Sequence, residues 1–188
     1  MSLISFAVIG KDNAPLYIRD FDYEKDCSDP SLSGSEFRDD PFGFLNHTQL
    51  LNGYSSLKNQ FIIHSALDNF EGLDALNVDR PQHGPNSMWV GLLGHFDDTK
   101  VYAYATSTKI KFFATIEDIE DESNNIAREA ALKALFANAH EYFVEYMMNP
   151  FSNVRTQKKL ISQRFDMGIM ELATTFNENF GQKGMSWM

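Results

Sequence analysis

Three runs of alternating residues lie between Met88 and Ile116, and short polar turns separate them. The second run has the two-residue period of a strand. One face carries the small apolar residues Val101, Ala103 and Ala105, and the other carries the hydroxyl-bearing residues Tyr102, Tyr104 and Thr106. The turns are too short for a crossover helix, so neighbouring runs should pair as an antiparallel meander. Both faces carry bulky apolar side chains, which predicts that helices cover the sheet on both sides.

The remaining apolar periodicities complete a mixed α/β fold of the α+β type. Two strands are predicted before the meander, at Ser2–Gly10 and Pro15–Phe21, and they form a hairpin. Helical spacing predicts helices over Leu57–Leu76, Asn125–Met148 and about Thr156–Asn179. The order is β-β-α-β-β-β-α-α, with a five-stranded antiparallel sheet between one helix and two. We expect one domain over residues 1–188, with an inserted loop at about 22–56 and a frayed tail at about 181–188.

Charge and cysteine content limit the classes of partner. The net charge of −10 opposes binding to nucleic acid, because that affinity rests on neutralising phosphates. Cys27 is the only cysteine, so no internal disulfide is possible, and an inert free thiol is the favoured interpretation. The apolar run Leu3–Ile9 is too short for a signal peptide core or a membrane span. These features predict a cytosolic protein.

The sequence contains little that indicates catalysis. Neither a phosphate-binding glycine loop nor a cluster of Cys and His occurs, so we expect no cofactor and no structural metal. His64 and Asp68 lie four residues apart on one predicted helix and could supply two metal ligands or a His-carboxylate couple. No third or fourth ligand can be named, which favours a hydrogen bond within the helix at the rim of the sheet. A small metal-dependent enzyme using His64 and Asp68 is kept as the alternative of another class.

The tripeptide Asn149-Pro150-Phe151 follows the second predicted helix. In flexible segments, Asn-Pro-Phe serves as a ligand for endocytic adaptor domains. Here the favoured interpretation is a helix stop, since the residue before proline disfavours the α conformation, with Phe151 folded into the core.

Several ordered segments resemble the sedlin family of transport protein particle (TRAPP) subunits, and most closely its subunit-two-like branch. In chain order these segments are NAPLYIRDF, NQFIIHSALD, VGLL, KVYAYATSTKIKF, MNPF and ISQRFD. The resemblance implies a longin-like, or SNARE-like, fold. It also implies a non-enzymatic subunit of a complex that tethers vesicles and activates Rab GTPases in endoplasmic reticulum to Golgi and Golgi trafficking.

The resemblance further implies where this chain acts and what it touches. Its partners would be other TRAPP subunits and, indirectly, Rab GTPases, and it would reach endoplasmic reticulum and Golgi membranes peripherally, only through the complex. Asp68 matches an acidic family position connected with partner contacts, and our hypothesis places the partner surface at His64, Asp68 and Glu71. The alternative within this fold is a longin-type regulator of SNARE or coat-adaptor assembly outside TRAPP.

Overall fold

The computed structural model describes residues 2–21, 56–75, 88–96, 98–117, 125–151 and 159–180. Within them the strands are β1 (Leu3–Ile9), β2 (Pro15–Asp20), β3 (Trp89–Phe96), β4 (Thr99–Ala105) and β5 (Lys111–Glu117). The helices are α1 (Leu57–Ala75), α2 (Asn125–Met148) and α3 (Gln163–Phe180). The predicted element order is confirmed. Cys27, the tail at 181–188 and, except for Ser56, the predicted insertion lie outside the described residues.

The five strands form one sheet in the order β2-β1-β5-β4-β3, and every neighbouring pair is antiparallel. The hairpin β1–β2 and the meander β3–β4–β5 are therefore both present as predicted. Pairing of β1 with β5 joins them, with Ala7 opposite Phe113. The strand β5 is therefore the middle one, with β1 and β4 on either side of it.

Alternation along the strands divides the core into two clusters, one on each face of the sheet. Ala103 and Phe113 face α1, where they meet buried Ile63, Ala66 and Phe70. The opposite face carries a larger aromatic cluster against α2 and α3, which includes Phe6, Phe112, Phe136 and Phe165. The prediction of helices on both sides is confirmed.

The third helix begins later than its apolar spacing predicts. Residues 159–162 are not helical, and the backbone N–H of Leu160 donates to the carbonyl oxygen of Leu16 at 2.8 Å, beside β2. Ser162 then caps α3, since its Oγ accepts the N–H of Phe165 at 3.3 Å. Thr156 itself lies outside the described residues, but the prediction of helix is wrong for residues 159–162, where the buried Leu160 belongs to a non-helical segment beside β2.

The expectation that Phe151 folds into the core is also wrong. The helix does stop at this tripeptide, but the Phe151 side chain is 92% exposed. The backbone N–H of Phe151 donates to Asn149 Oδ1 at 3.0 Å, which closes the turn at the end of α2.

Candidate partner-binding surface

A line of exposed residues runs along the side of α1 that faces away from the sheet. Its members recur at steps of four and three residues, which places them on one helical face, and we call them the α1 outer stripe: Leu57, Phe61, His64, Asp68 and Glu71. The first two are large apolar side chains that are 83% and 71% exposed. The stripe thus changes from apolar near the start of α1 to polar and acidic further along.

The start of α1 is fixed to the sheet by hydrogen bonds around Ser56. The buried carboxylate of Asp20, at the end of β2, accepts the N–H of Ser56 at 2.6 Å through Oδ2. Ser56 Oγ in turn accepts the N–H of Lys58 at 3.3 Å, as expected of an N-cap residue. The apolar part of the stripe therefore begins directly after an anchored helix end.

The far end of the stripe is tied to the β1–β2 turn through Glu71. Its Oε1 accepts a hydrogen bond from Asn13 Nδ2, and Asn13 Oδ1 accepts one from the Lys111 ammonium. Asn13 adopts the left-handed conformation, with φ of 60°, which asparagine tolerates in tight turns. The Lys111 ammonium also lies 5.4 Å from the centre of the Phe70 ring, within the range of a cation–π contact. Glu71 is exposed, but its carboxylate already positions this turn.

His64 and Asp68, the pair singled out from the sequence, both lie on the solvent side of α1. Among the described residues, no three His, Cys, Asp or Glu side chains come together in a way that could hold a metal ion. Both side chains are exposed on the helix surface. Chemically, the pair can accept and donate hydrogen bonds to a docking partner.

Sequence reasoning did not include Leu57 and Phe61 among the candidate partner residues. Their spacing contains the signal, because positions 57, 61, 64 and 68 repeat with the same steps. Adjacent apolar side chains that remain exposed on a protein surface are a feature of protein interaction sites. The two residues extend the predicted surface toward the start of α1.

The opposite layer of the protein is anchored by a polar cluster at the start of α3. The Tyr17 hydroxyl of β2 donates to Asp166 Oδ1 at 2.7 Å, and Arg19 forms an ion pair with the same carboxylate. The Tyr17 ring also packs edge-on against Phe165, with ring centres 5.1 Å apart. Burial, and then the hydrogen bond to Asp166, raise the pKa of the Tyr17 hydroxyl. Asp166, in the ISQRFD segment, therefore joins α3 to the sheet.

These features first define a class of protein. The fold is longin-like, with a five-stranded antiparallel sheet between one helix and two. The chain belongs to the sedlin family, whose model matches residues 8–175.

Curated relatives agree with this assignment. The chain is 29% identical to the trafficking protein particle complex subunit 2-like protein of Dictyostelium discoideum over 163 residues, covering 87% of this chain and 90% of the relative. It is also 29% identical to the protein of that name from Mus musculus, covering 80% and 83%. The chain is 26% identical to the transport protein particle 20 kDa subunit of Schizosaccharomyces pombe, over 63% of this chain and 74% of the relative.

No helix in the described part of the chain is both long enough and apolar enough to cross a membrane.

Proposed function

We propose that the chain is a non-catalytic subunit of a TRAPP complex and acts there as an adaptor between other subunits. The observation that carries this proposal is the similarity to subunits of that complex over most of the chain. The assembled complex, rather than this chain, would tether vesicles and activate Rab GTPases in endoplasmic reticulum to Golgi and Golgi traffic. Its membrane association would be peripheral and would depend on the complex.

The α1 outer stripe is the surface that we propose for contact with a neighbouring subunit. Burying an exposed phenyl ring such as that of Phe61 contributes about 1.5–3 kcal/mol to association. The acidic residues further along the helix favour a basic or hydrogen-bond-donating surface on the partner. An apolar anchor with a polar continuation is the usual composition of a specific interface.

Two variants test this surface: Asp68→Arg reverses a charge, and Phe61→Asp places a charge on an apolar position. Tagged protein would be purified from its native cell, and the co-purifying TRAPP subunits would be quantified by mass spectrometry. Glu178→Arg is the matched control for Asp68→Arg, because it makes the same charge change at an exposed position of α3, on the other side of the sheet. We expect recovery of at least one partner subunit to fall about tenfold or more for the stripe variants, as for loss of an interface anchor, and to stay unchanged for the control.

Two results would count against the proposal at different levels. If the unmodified chain recovers no TRAPP subunits, membership of the complex is wrong, and recovery of SNARE or coat-adaptor components instead would favour the other longin-type role. If subunits are recovered equally with all variants, membership holds but the α1 outer stripe is not the contact surface. Fluorescent protein fusions of Asp68→Arg should in addition lose Golgi localisation if attachment depends on the complex.

A further inference from the structure

The most exposed large apolar side chain in the described part of the protein is that of Phe151, at 92%. It ends the tripeptide Asn149-Pro150-Phe151 directly after α2. The α1 outer stripe lies on the opposite layer of the sheet, so the proposed contact with other subunits does not account for this residue.

The turn that carries Phe151 is held in one conformation by its own residues. The N–H of Asn149 donates to the carbonyl oxygen of Tyr146 at 3.3 Å, which continues the last turn of α2. Pro150 has a restricted φ, and the Asn149 side chain closes a hydrogen-bonded ring by accepting the N–H of Phe151. The hydrogen bonds and the proline ring restrict these three residues in the free protein, which lowers the entropic cost of binding a partner.

The last turns of α2 add apolar surface next to the turn. Val144, Met147 and Met148 are 43%, 43% and 79% exposed. Met147 and Met148 lie three and four residues after Val144, so these helical residues share one face that leads to the turn. Methionine side chains adapt readily to differently shaped partner surfaces.

We propose that the Asn-Pro-Phe turn, residues 149–151, binds a protein domain with an apolar pocket of phenyl size, the class of domain with which endocytic adaptors recognise Asn-Pro-Phe peptides. The pocket receives the Phe151 ring, and the partner contacts the Asn149 amide group that the turn presents beside it. The exposed residues at the end of α2 form the edge of the contact. A phenyl ring that is exposed in the free protein gains the full transfer free energy when the pocket closes around it.

The experiment titrates the intact chain against a purified adaptor domain that binds Asn-Pro-Phe peptides and follows the titration by NMR chemical shifts. The test variant is Phe151→Ala. The control is Ile126→Ala, because Ile126 is 88% exposed at the other end of α2 and its replacement likewise removes an exposed apolar side chain. Since neither side chain contributes to the core, both variants should keep the far-ultraviolet circular dichroism of the unmodified protein.

We expect the unmodified chain and Ile126→Ala to bind equally and Phe151→Ala to bind at least about tenfold more weakly, as for loss of an anchoring aromatic side chain. A short synthetic Asn-Pro-Phe peptide should displace the unmodified chain, which tests the same pocket without any variant. Absence of binding at millimolar concentration, failure of the peptide to compete, or equal binding by the two variants would each overturn the proposal. These outcomes are independent of whether the α1 outer stripe contacts TRAPP subunits.

Discussion

Replacing Gly168 with alanine tests how closely α2 and α3 pack. A Cβ atom built at this position would lie 2.8 Å from Tyr142 Cε2 and 3.0 Å from Cδ2 and Cζ, which is well inside normal contact distance. Overpacking of this kind typically costs about 1–3 kcal/mol. Alanine also gains up to about 1 kcal/mol over glycine inside a helix. The expected net change is a loss of about 0–3 kcal/mol in the free energy of unfolding.

Gly72 provides a matched control on the other side of the sheet. It too lies within a helix, but a Cβ atom there would meet nothing within 4 Å. Gly72→Ala should therefore stabilise the protein by up to about 1 kcal/mol, through the helical preference alone. The difference between the two variants, about 1–3 kcal/mol, isolates the packing cost at the α2–α3 contact.

Urea unfolding followed by circular dichroism measures both variants, and thermal unfolding should show a difference of about 2–4 °C for each kcal/mol. A Tyr142→Leu background removes the ring that the new methyl group would meet. In that background, Gly168→Ala should behave like Gly72→Ala. If Gly168→Ala stabilises the unmodified protein as much as Gly72→Ala does, the close approach of the two helices is refuted.

Two further predictions concern groups whose pKa is shifted. Tyr17→Phe should lower the free energy of unfolding by about 1–2 kcal/mol, because it removes a hydrogen bond to a carboxylate, and an unchanged urea midpoint would contradict this. Burial lowers the pKa of His140 from 6.5, so the folded state binds this proton more weakly than the unfolded state. Stability should therefore fall as the pH drops through the interval below 6.5, and His140→Gln should show a smaller fall in urea unfolding at pH 5 relative to pH 7.5. Equal pH dependence in the two proteins would contradict the second prediction.

The sheet and its two covered faces could be predicted from the sequence because the two-residue period is strong there. Small residues such as Ala103 alternate with aromatic ones such as Tyr104, and each set meets a different helix layer in the structure. Because the turns between the three meander strands are short and polar, antiparallel pairing of these strands could also be predicted. The pairing of β1 with β5, in contrast, joins segments about a hundred residues apart, and no local pattern encodes it.

The errors arose where one apolar residue can serve two structures. Leu160 fits a helical spacing, yet it is buried in a non-helical segment, and its N–H bonds to Leu16. Phe151 could pack inward or remain outside, and in the structure its side chain is 92% exposed. On α1 the spacing of the buried apolar residues was recognised from the sequence, but the spacing of the exposed residues that include Phe61 was not. Hydrophobicity alone does not distinguish an apolar side chain that packs in the core from one that is exposed on the surface.

The outer strand β3 limits how another protein can attach to this one. Its pairing with β4 shifts register twice, between Trp89 and Gly91 and between Leu92 and Gly94, and Gly91 has a φ of 92°. Such irregularities bend an edge strand and interrupt the even spacing of its outward amides and carbonyls. An incoming strand would therefore find no regular template along β3. For a protein that we propose to work as a subunit of a complex, attachment at this edge would have to depend on side chains rather than on shared backbone hydrogen bonds.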